Sequence, residues 1–253
     1  MASGRVARGT VMVVLLLCSA ARKVEDQHTI RNEESFHTLM EESMTWSNKL
    51  VPGFVFTLIF VTACANPATD KSKAVTGEAA TASPQSVAQG EKYLINPQNS
   101  KIEFVGSKVV GSEHGSFEKF TGTINYAGQP EKSQVDIKID MNSVKADEDG
   151  LTTHLKTADF FDVAKYPEAS FSSIQIKPGG EKGATHTVTG NLQLHGVTKA
   201  ITFPATIAVA SDAITVDSSF AINRKEFGIN FAGASNNLIR DEVVLTLRVR
   251  ATR

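Results

Sequence analysis

The segment "EVVLTLRVR", residues 242–250, alternates between apolar and polar side chains over most of its length. Its two faces are Val243, Leu245, Leu247 and Val249 on one side and Thr246, Arg248 and Arg250 on the other. Because successive side chains of a strand point to opposite faces, this period of two predicts a β-strand with one buried and one solvated face. Such strands are typical of an antiparallel sheet that faces water on one side.

The same period recurs towards the N-terminus, as far as Tyr93. The other apolar faces are Ile102 and Phe104; Val135, Ile137 and Ile139; Val188, Leu192 and Leu194; Ile201, Phe203, Ile207 and Val209; and Ile214, Val216, Phe220 and Ile222. Turn signals separate these runs: "AGQP" (127–130), "KPGG" (177–180), "LHGVTK" (194–199) and "ASDA" (210–213). Pro204, inside one run, marks an edge or a bulge. The pattern predicts about eight antiparallel strands.

One helix interrupts the strands. Residues 149–162 begin with Asp149, which is a candidate N-cap, and place Leu151, Leu155 and Phe160 near helical spacing. One helix beside about eight antiparallel strands predicts an all-β fold, either a sandwich or a closed barrel. A barrel of about eight strands has an interior just wide enough for a small ligand, as in lipocalins. These patterns alone leave the sandwich and the barrel open.

An export signal precedes the strands. The segment "NKLVPGFVFTLIFVTACANPATD" (48–70) has a lysine, an apolar run and then small residues around Cys64. The apolar run, residues 50–63, is shorter than the roughly 20 residues of a membrane helix. "VTAC" (61–64) resembles a bacterial lipobox, so we expect Cys64 to be lipidated and to begin the mature protein. A plain secretory signal with an incidental Cys64 is the alternative.

The lipobox sets the expected boundaries of the N-terminal part. Residues 44–63 are then a lipoprotein signal peptide, and residues 1–43 a non-native extension ahead of a true start at Met44. Ala65, after the cysteine, favours the outer membrane of a Gram-negative cell. Residues 64–90 are rich in small and polar residues, which predicts a flexible tether because they cannot bury a core. The folded domain is predicted to span residues 91–253.

Composition excludes several classes of function. The formal net charge is −1 and no basic cluster occurs, so a nucleic-acid binder is not expected. The chain has two cysteines, Cys18 and Cys64, so the sequence after them can form neither a disulfide framework nor a cysteine metal site. Its histidines are scattered without metal-ligand spacing, and "DEDG" (147–150) lacks the later ligands of a calcium loop. We expect no metal.

Four motifs resemble the YceI-like family of periplasmic lipocalin-like proteins. They are "GSFEKFTGTI" (115–124), "HLKTADFFDVAKYPEASF" (154–171), "GNLQLHGVTKAITFP" (190–204) and "INRKEFGI" (222–229). The resemblance implies an antiparallel barrel of about eight strands, with a helix-containing crossover that closes its mouth. It also implies an elongated apolar cavity for the chain of a polyisoprenoid, such as an isoprenoid quinone, and no cofactor besides this bound lipid.

The expected ligand site combines apolar residues of the barrel wall and lid with a polar pair near the mouth. The candidates are Phe104, Phe117, Phe120, Ile137, Phe160, Phe161, Phe171, Leu192, Phe203, Phe220 and Phe227, with Asn223 and Arg224 as a clamp for a head group. The alternative for Arg224 is a turn in which it pairs with Asp159, Asp162 or Glu226. The expected role is to carry or store an isoprenoid-type lipid at the periplasmic side of the cell envelope, on the outer membrane. The sequence is also compatible with a homodimer.

The sequence leaves two alternative functions. The first is a protein-interaction or stress-related envelope module whose barrel is filled by side chains. The second is an enzyme that uses His154 or His195 as a base, oriented by Asp159 or Asp162. The folded part has no serine in a G-x-S-x-G elbow and no cysteine, so catalysis is not expected. We therefore predict that Asp159 and Asp162 satisfy backbone groups where the helix ends.

Overall fold

The computed structural model describes residues 66–80 and 90–253, which form fifteen strands, one α-helix and four 3-10 segments. The strands are β1 (Ser72–Lys73), β2 (Val75–Glu78), β3 (Glu91–Ile95), β4 (Lys101–Ser107), β5 (Ser112–Phe117), β6 (Phe120–Tyr126), β7 (Gln134–Asp140), β8 (Val144–Ala146), β9 (Glu168–Pro178), β10 (His186–Leu194), β11 (Val197–Val209), β12 (Ala213–Asn223), β13 (Gly233–Ala234), β14 (Asn237–Leu238) and β15 (Glu242–Thr252). The helix, α1, spans Asp149–Leu155, and the 3-10 segments are Pro130–Lys132, Met141–Ser143, Glu181–Gly183 and Arg224–Phe227.

Eight of these strands close into a ring, which confirms the predicted antiparallel barrel. Around the ring the order is β12, β11, β10, β9, β7, β6, β3 and β15, and β15 pairs with β12 to close it. Strands β4, β5 and β8 continue the wall beside β15. Closure removes the edges of the ring, so each strand needs only one apolar face, towards the interior.

Strand β15 shows how the alternating sequence builds this wall. It pairs with β12 along its whole length, from Asn223↔Glu242 to Ala213↔Thr252. Leu245, Leu247 and Val249 face the interior, while Arg248 and Arg250 are exposed. One period-two segment therefore joins strands from opposite ends of the barrel sequence, and with Val243 it contributes four residues to the inside of the barrel.

Two crossovers lie at one end of the barrel. The first, residues 147–167, contains α1, and the second, residues 224–241, contains the 3-10 segment Arg224–Phe227 and the β13–β14 hairpin. The predicted helix (149–162) is too long, because α1 ends at Leu155. After Leu155 the chain makes successive turns, and the Thr157 carbonyl accepts hydrogen bonds from the amides of both Phe160 and Asp162. The turns replace the rest of the predicted helix.

Residues 66–80 differ most from expectation. The predicted flexible tether is wrong for these residues, since β1 pairs with β12 and β2 pairs with β11. Ala68 is also buried, against Ala221 and Val244 on the outer face of the barrel. Small residues cannot build a core of their own, but these add to an existing sheet edge and are ordered by it.

Several predictions fall outside the described residues. These are the N-terminal extension (1–43), the signal peptide (44–63), the lipidated Cys64 and the part of the tether at 81–89. They stay predictions. Within residues 66–80 and 90–253, no helix has the length and apolar character needed to cross a membrane.

Candidate ligand cavity

The interior of the barrel holds a cavity of about 210 Å³. Its wall includes Ile95, Ile124 and Val249 from the end away from the crossovers, and Leu155 and Ile229 from the crossovers themselves. The cavity therefore extends along the barrel rather than lying in one layer of it. Apart from Arg224 and the glycine Gly106, its lining consists of apolar side chains.

Most of the predicted site residues lie in this lining, although their contact with a ligand stays a prediction. Those that line it are Phe104, Phe117, Ile137, Phe160, Phe161, Phe171, Leu192, Phe203, Phe220 and Arg224. The strand residues among them were placed by alternation, which locates a side chain on the inner face whenever the register holds.

Three predicted residues lie elsewhere. Phe120 begins β6, beside a bend, and packs in the surrounding core rather than at the cavity. Phe227 is fully buried in a neighbouring cluster with Phe220 and Ile222. The Asn223 side chain accepts a hydrogen bond of 3.0 Å from the Lys225 amide, so it caps the 3-10 segment instead of facing a head group. Of the two residues of the predicted polar clamp, Arg224 lines the cavity and Asn223 does not.

Some lining residues were not singled out from sequence. Alternation had placed Val216, Leu245 and others on inner faces, but the candidate set kept mainly aromatics. Met141, Leu155, Ile229 and Ile239 come from the crossovers and from the short 3-10 segment after β7. Outside α1 these segments have no regular period, so no pattern in the sequence indicates which of their side chains turn inward.

Glycines shape the cavity in two ways. A Cβ at Gly106 would meet nothing within 4 Å, so this position of β4 leaves open space inside. A Cβ at Gly115 or Gly190 would instead lie 2.2 Å from the Phe104 ring and 2.3 Å from the Phe171 ring, respectively. The outer ends of these two rings occupy the space that a side chain would take at Gly115 and Gly190, so only glycine leaves room for them.

We expect Gly190→Ala to destabilise the protein by about 2 kcal/mol, because an added Cβ would collide with the Phe171 ring and the Ser172 carbonyl, and overpacking of this kind typically costs 1–3 kcal/mol. The free energy of unfolding in urea measures this cost. The matched control is Gly150→Ala in α1, where the new Cβ has open space and helix propensity favours alanine by about 1 kcal/mol. Equal stability of the two variants would contradict the close packing at Gly190.

Aromatic side chains link the two crossovers over the end of the barrel. Phe161 packs edge-on against Phe104, with ring centroids 6.3 Å apart, and also contacts Phe117. Phe160 points to the other crossover, where its ring lies 5.2 Å from Phe231. The two neighbouring phenylalanines thus diverge, as adjacent residues must, and both line the cavity. They form its cap.

His154 and Asp159, one of the pairs considered for catalysis, do meet. The His154 Nε2 atom lies 2.8 Å from an Asp159 carboxylate oxygen. The same imidazole ring packs edge-on against Phe160 at 5.0 Å and Phe231 at 5.1 Å. The contact with Asp159 joins α1 to the following turn, and the ring contact with Phe231 joins it to the second crossover.

His195 supports the same end of the barrel. It has a positive φ of 51° in the turn between β10 and β11, and its Nδ1 atom lies 3.1 Å from the Phe227 carbonyl oxygen. A carbonyl only accepts hydrogen bonds, so Nδ1 is the protonated nitrogen in this contact. The next residue, Gly196, must lack a side chain because a Cβ there would lie 2.4 Å from the Tyr166 ring. His195 is thereby fixed in the turn by its contacts with Phe227 and Tyr166.

Arg224 is the charged group of the lining. Its side chain is 5% exposed, and it donates hydrogen bonds to the carbonyl oxygens of Ile229 (2.7 Å), Arg240 (3.1 Å) and Ile239 (3.4 Å). Asp241 is its nearest carboxylate, at 3.6 Å, so the predicted pairing with Asp159, Asp162 or Glu226 is wrong. Burial lowers the pKa of Arg224, and the charge of Asp241 partly opposes this shift. The guanidinium holds the second crossover together from inside.

The chemistry of the cavity is that of apolar binding. Among the described residues, no three His, Cys, Asp or Glu side chains cluster as a metal site would require. The cavity itself presents hydrocarbon and aromatic surface, with one guanidinium that is already bonded to main-chain carbonyls. Such a wall can exclude water and bury a hydrophobic chain, with little directional recognition along the chain.

Bacterial proteins of known sequence are similar to this chain. A UPF0312 protein of Pseudomonas putida strain W619 is 32% identical over 165 residues, which cover 60% of this chain and 83% of that protein. A UPF0312 protein of Pseudomonas savastanoi pv. phaseolicola is 41% identical over 126 residues, which cover 47% of this chain and 63% of that protein.

Solved structures share the fold. The crystal structure of Burkholderia cenocepacia BcnA matches with a TM-score of 0.56 and 25% identity, over 62% of this chain and 99% of that one. A domain from Saccharophagus degradans, described as polyisoprenoid-binding and implicated in plant cell wall breakdown, matches with a TM-score of 0.51 and 20% identity, over 64% and 97% of the two chains. The model of the YceI-like domain matches residues 93–251, which span the whole barrel ring. The chain therefore belongs to the YceI-like family.

Proposed function

We propose that this protein holds an isoprenoid-type chain, from an isoprenoid quinone or a polyprenyl lipid, in its barrel cavity for carriage or storage. The observation that carries the proposal is the apolar cavity, whose lining extends from the aromatic cap to Ile124 and Val249 in the half of the barrel away from the crossovers. A long hydrocarbon chain with methyl branches matches both the shape and the chemistry of this space. The Saccharophagus domain with the same fold, whose description names polyisoprenoid binding, supports the same ligand class.

Burial of apolar area is sufficient to drive this binding. Each Å² of apolar surface removed from water contributes about 25 cal/mol, so a chain that buries several hundred Å² gains many kcal/mol before ordering costs. The aromatic rings of Phe104, Phe171 and Phe203 are already held in the wall by their neighbours. Since the wall is ordered before the ligand arrives, little further entropy is lost on binding.

The proposed location is the periplasmic side of the cell envelope, with the protein anchored to the outer membrane through Cys64. Support comes from the lipobox-like "VTAC" (61–64) and the preceding apolar run. Stable anchoring requires more than one acyl chain, which a lipoprotein cysteine provides. The carried lipid and the membrane would then lie close together.

Native mass spectrometry of the full chain, purified from a bacterium, tests both parts of this proposal. A stoichiometric apolar adduct that disappears on denaturation and is recovered by solvent extraction is the expected result for the cavity ligand. An acyl mass on Cys64 that survives denaturation is the expected result for the anchor. A clean apo mass, unchanged after incubation with isoprenoid quinones and polyprenyl phosphates, would contradict lipid carriage and favour the protein-interaction or stress-related module.

A further inference from the structure

The barrel wall has a seam between β11 and β12. Their ladder runs only from Val209↔Ile214 to Thr206↔Asp217. The other edge of β11 pairs with β10 down to Val197, and the other edge of β12 pairs with β15 over its full length. Towards the crossovers, therefore, β11 and β12 separate while the rest of the wall stays paired.

Pro204 explains why the ladder stops. Its carbonyl oxygen accepts a hydrogen bond of 2.6 Å from the Ser218 hydroxyl, so the main chain of this residue faces β12. In a strand, the N–H and the carbonyl of one residue point the same way, and proline has no N–H to donate. Beyond Thr206, therefore, the two strands cannot continue a regular ladder. The cross-strand bond at Pro204 comes instead from the Ser218 side chain.

Residues 72–78, which we call the strap, fill this seam. β1 pairs in parallel with β12 (Ser72↔Phe220), and β2 pairs antiparallel with β11, from Val75↔Thr202 to Lys199↔Glu78. Between them the Ala74 amide donates a hydrogen bond of 2.8 Å to the Ala221 carbonyl. The strap is an inserted strand, and it supplies to each neighbour the main-chain partners that the neighbour lacks.

The strap lies directly behind the cavity wall. Burial alternates along it: Ser72 is buried, Ala74 and Thr76 are half-buried, and Lys73 and Val75 are exposed. Ala74 packs against the cluster that contains Phe203 and Phe220, two cavity-lining residues from opposite sides of the seam. Their rings stack at a centroid distance of 4.2 Å with an angle of 10° between planes. At the seam, these rings and the strap therefore lie between the cavity and the outer surface.

The side chains of the strap add little to its main-chain pairing; the ion pair between Lys73 and Glu242, for example, is exposed at Lys73. The Ser72 hydroxyl is buried and has no hydrogen-bond partner among the described residues, which destabilises the strap in its seat. The Lys199–Glu78 ion pair is exposed at Glu78, so it contributes little. Asn191 adds a clamp at the far end through two hydrogen bonds with the main chain of Ala80, 2.8 and 3.1 Å long. The strap also precedes the part of the chain that the family model matches, residues 93–251.

We infer that the strap is a removable section of the barrel wall behind the cavity lining, and that its release opens a side exit for the bound chain. A long chain that leaves through the capped end must thread its whole length past Phe160 and Phe161. A side opening exposes the chain along its length and avoids this barrier. The inference rests on the proposed function for the identity of the ligand, but the seam and the strap do not depend on that identity.

The test is the release rate of an apolar fluorophore, N-phenyl-1-naphthylamine, from the full chain into phospholipid vesicles, followed by stopped-flow fluorescence. Ala74→Pro removes the donor to Ala221, and Lys73 is already extended, as a residue before proline should be. Loss of one such hydrogen bond predicts release about tenfold faster. The matched control is Ala79→Pro, just beyond β2, which is expected to release the probe at the parent rate.

A second variant covers the case in which Ala74→Pro fails to fold. Val75→Cys with Thr202→Cys, in a chain that also carries Cys18→Ser and Cys64→Ser, places two cysteines directly opposite each other. Opposed residues of an antiparallel pair lie about 4.5–5.5 Å apart at Cα, within disulfide range. The oxidised form is expected to release the probe more slowly than the reduced form.

The possible results separate the two proposals. Equal rates for the oxidised and reduced forms, or for Ala74→Pro and the parent, would overturn the role of the strap. The fluorophore needs only an apolar cavity, so these rates remain informative if no isoprenoid is found. A parent chain that binds the fluorophore but not menaquinone-4 would contradict the isoprenoid proposal and leave the seam inference standing.

Discussion

Replacing Gly106 by phenylalanine is expected to lower the affinity for menaquinone-4 by about two orders of magnitude. Gly106 lines the cavity, and a Cβ there meets nothing within 4 Å, so a larger side chain at this position is directed into the interior. If the ring displaces about 100 Å² of buried ligand surface, the loss is about 2.5 kcal/mol. To measure the loss, the purified variant is titrated with menaquinone-4 and free ligand is removed by gel filtration. The absorbance of menaquinone-4 that elutes with the protein then gives the bound fraction.

The matched control is Gly106→Ala, which adds the Cβ at the same position but leaves most of the cavity free. It is expected to bind within about threefold of the parent, since a single methyl group displaces little ligand surface. Both variants should unfold at the parent urea concentration or above it, because glycine weakens a strand interior. Full affinity in Gly106→Phe, with folding intact, would show that the ligand does not occupy this cavity.

Arg224→Met is expected to lower the free energy of unfolding by about 3 kcal/mol. The substitution keeps much of the side-chain volume but leaves the carbonyls of Ile229, Ile239 and Arg240 without their donor inside the protein. Each buried acceptor without a partner costs about 1–3 kcal/mol, and the new methionine recovers part of this through apolar burial. Urea unfolding monitored by circular dichroism measures the difference.

Arg248→Met is the control for this change. Arg248 forms an ion pair with Glu103 on the outer surface, where both side chains are accessible to water. Exposed pairs typically contribute 0–1 kcal/mol, so this variant should stay within about 1 kcal/mol of the parent. If Arg224→Met were as mild as Arg248→Met, the second crossover would be held by apolar packing around Phe227 and not by the buried guanidinium.

The alternating segments made most of the barrel predictable. In residues 242–250, Leu245, Leu247 and Val249 turn inward as the period of two requires. This works because the strand geometry itself sends successive side chains to opposite faces, whatever the partner strand. The aromatic pair Phe160–Phe161 was also expected at the mouth of the barrel, through the resemblance to the YceI-like family.

Residues in the crossovers were less predictable, because irregular backbone has no period. Nothing in "INRKEFGI" (222–229) indicates that Asn223 caps a 3-10 segment while Arg224 turns inward to three carbonyls. Ile229 and Ile239 line the cavity from stretches with no strand or helix pattern. The positions of such side chains follow from which main-chain carbonyls lie within reach, and this depends on the whole crossover.

What the sequence by itself determined is an all-β fold with its inner faces and turns, since each depends on neighbours within a few residues; closure into a barrel was expected only through the resemblance to the YceI-like family. What only the tertiary structure decided is the strap. Residues 66–80 are small and polar, which locally favours a tether, and Pro204 by itself indicates only an edge or a bulge. The strap and Pro204 belong to one feature of the fold. The β11–β12 ladder stops at Thr206 and leaves unpaired main chain on both strands, and the strap pairs with this main chain. Hydrogen bonds to strands more than a hundred residues away, and not the composition of the segment, make it part of the barrel wall.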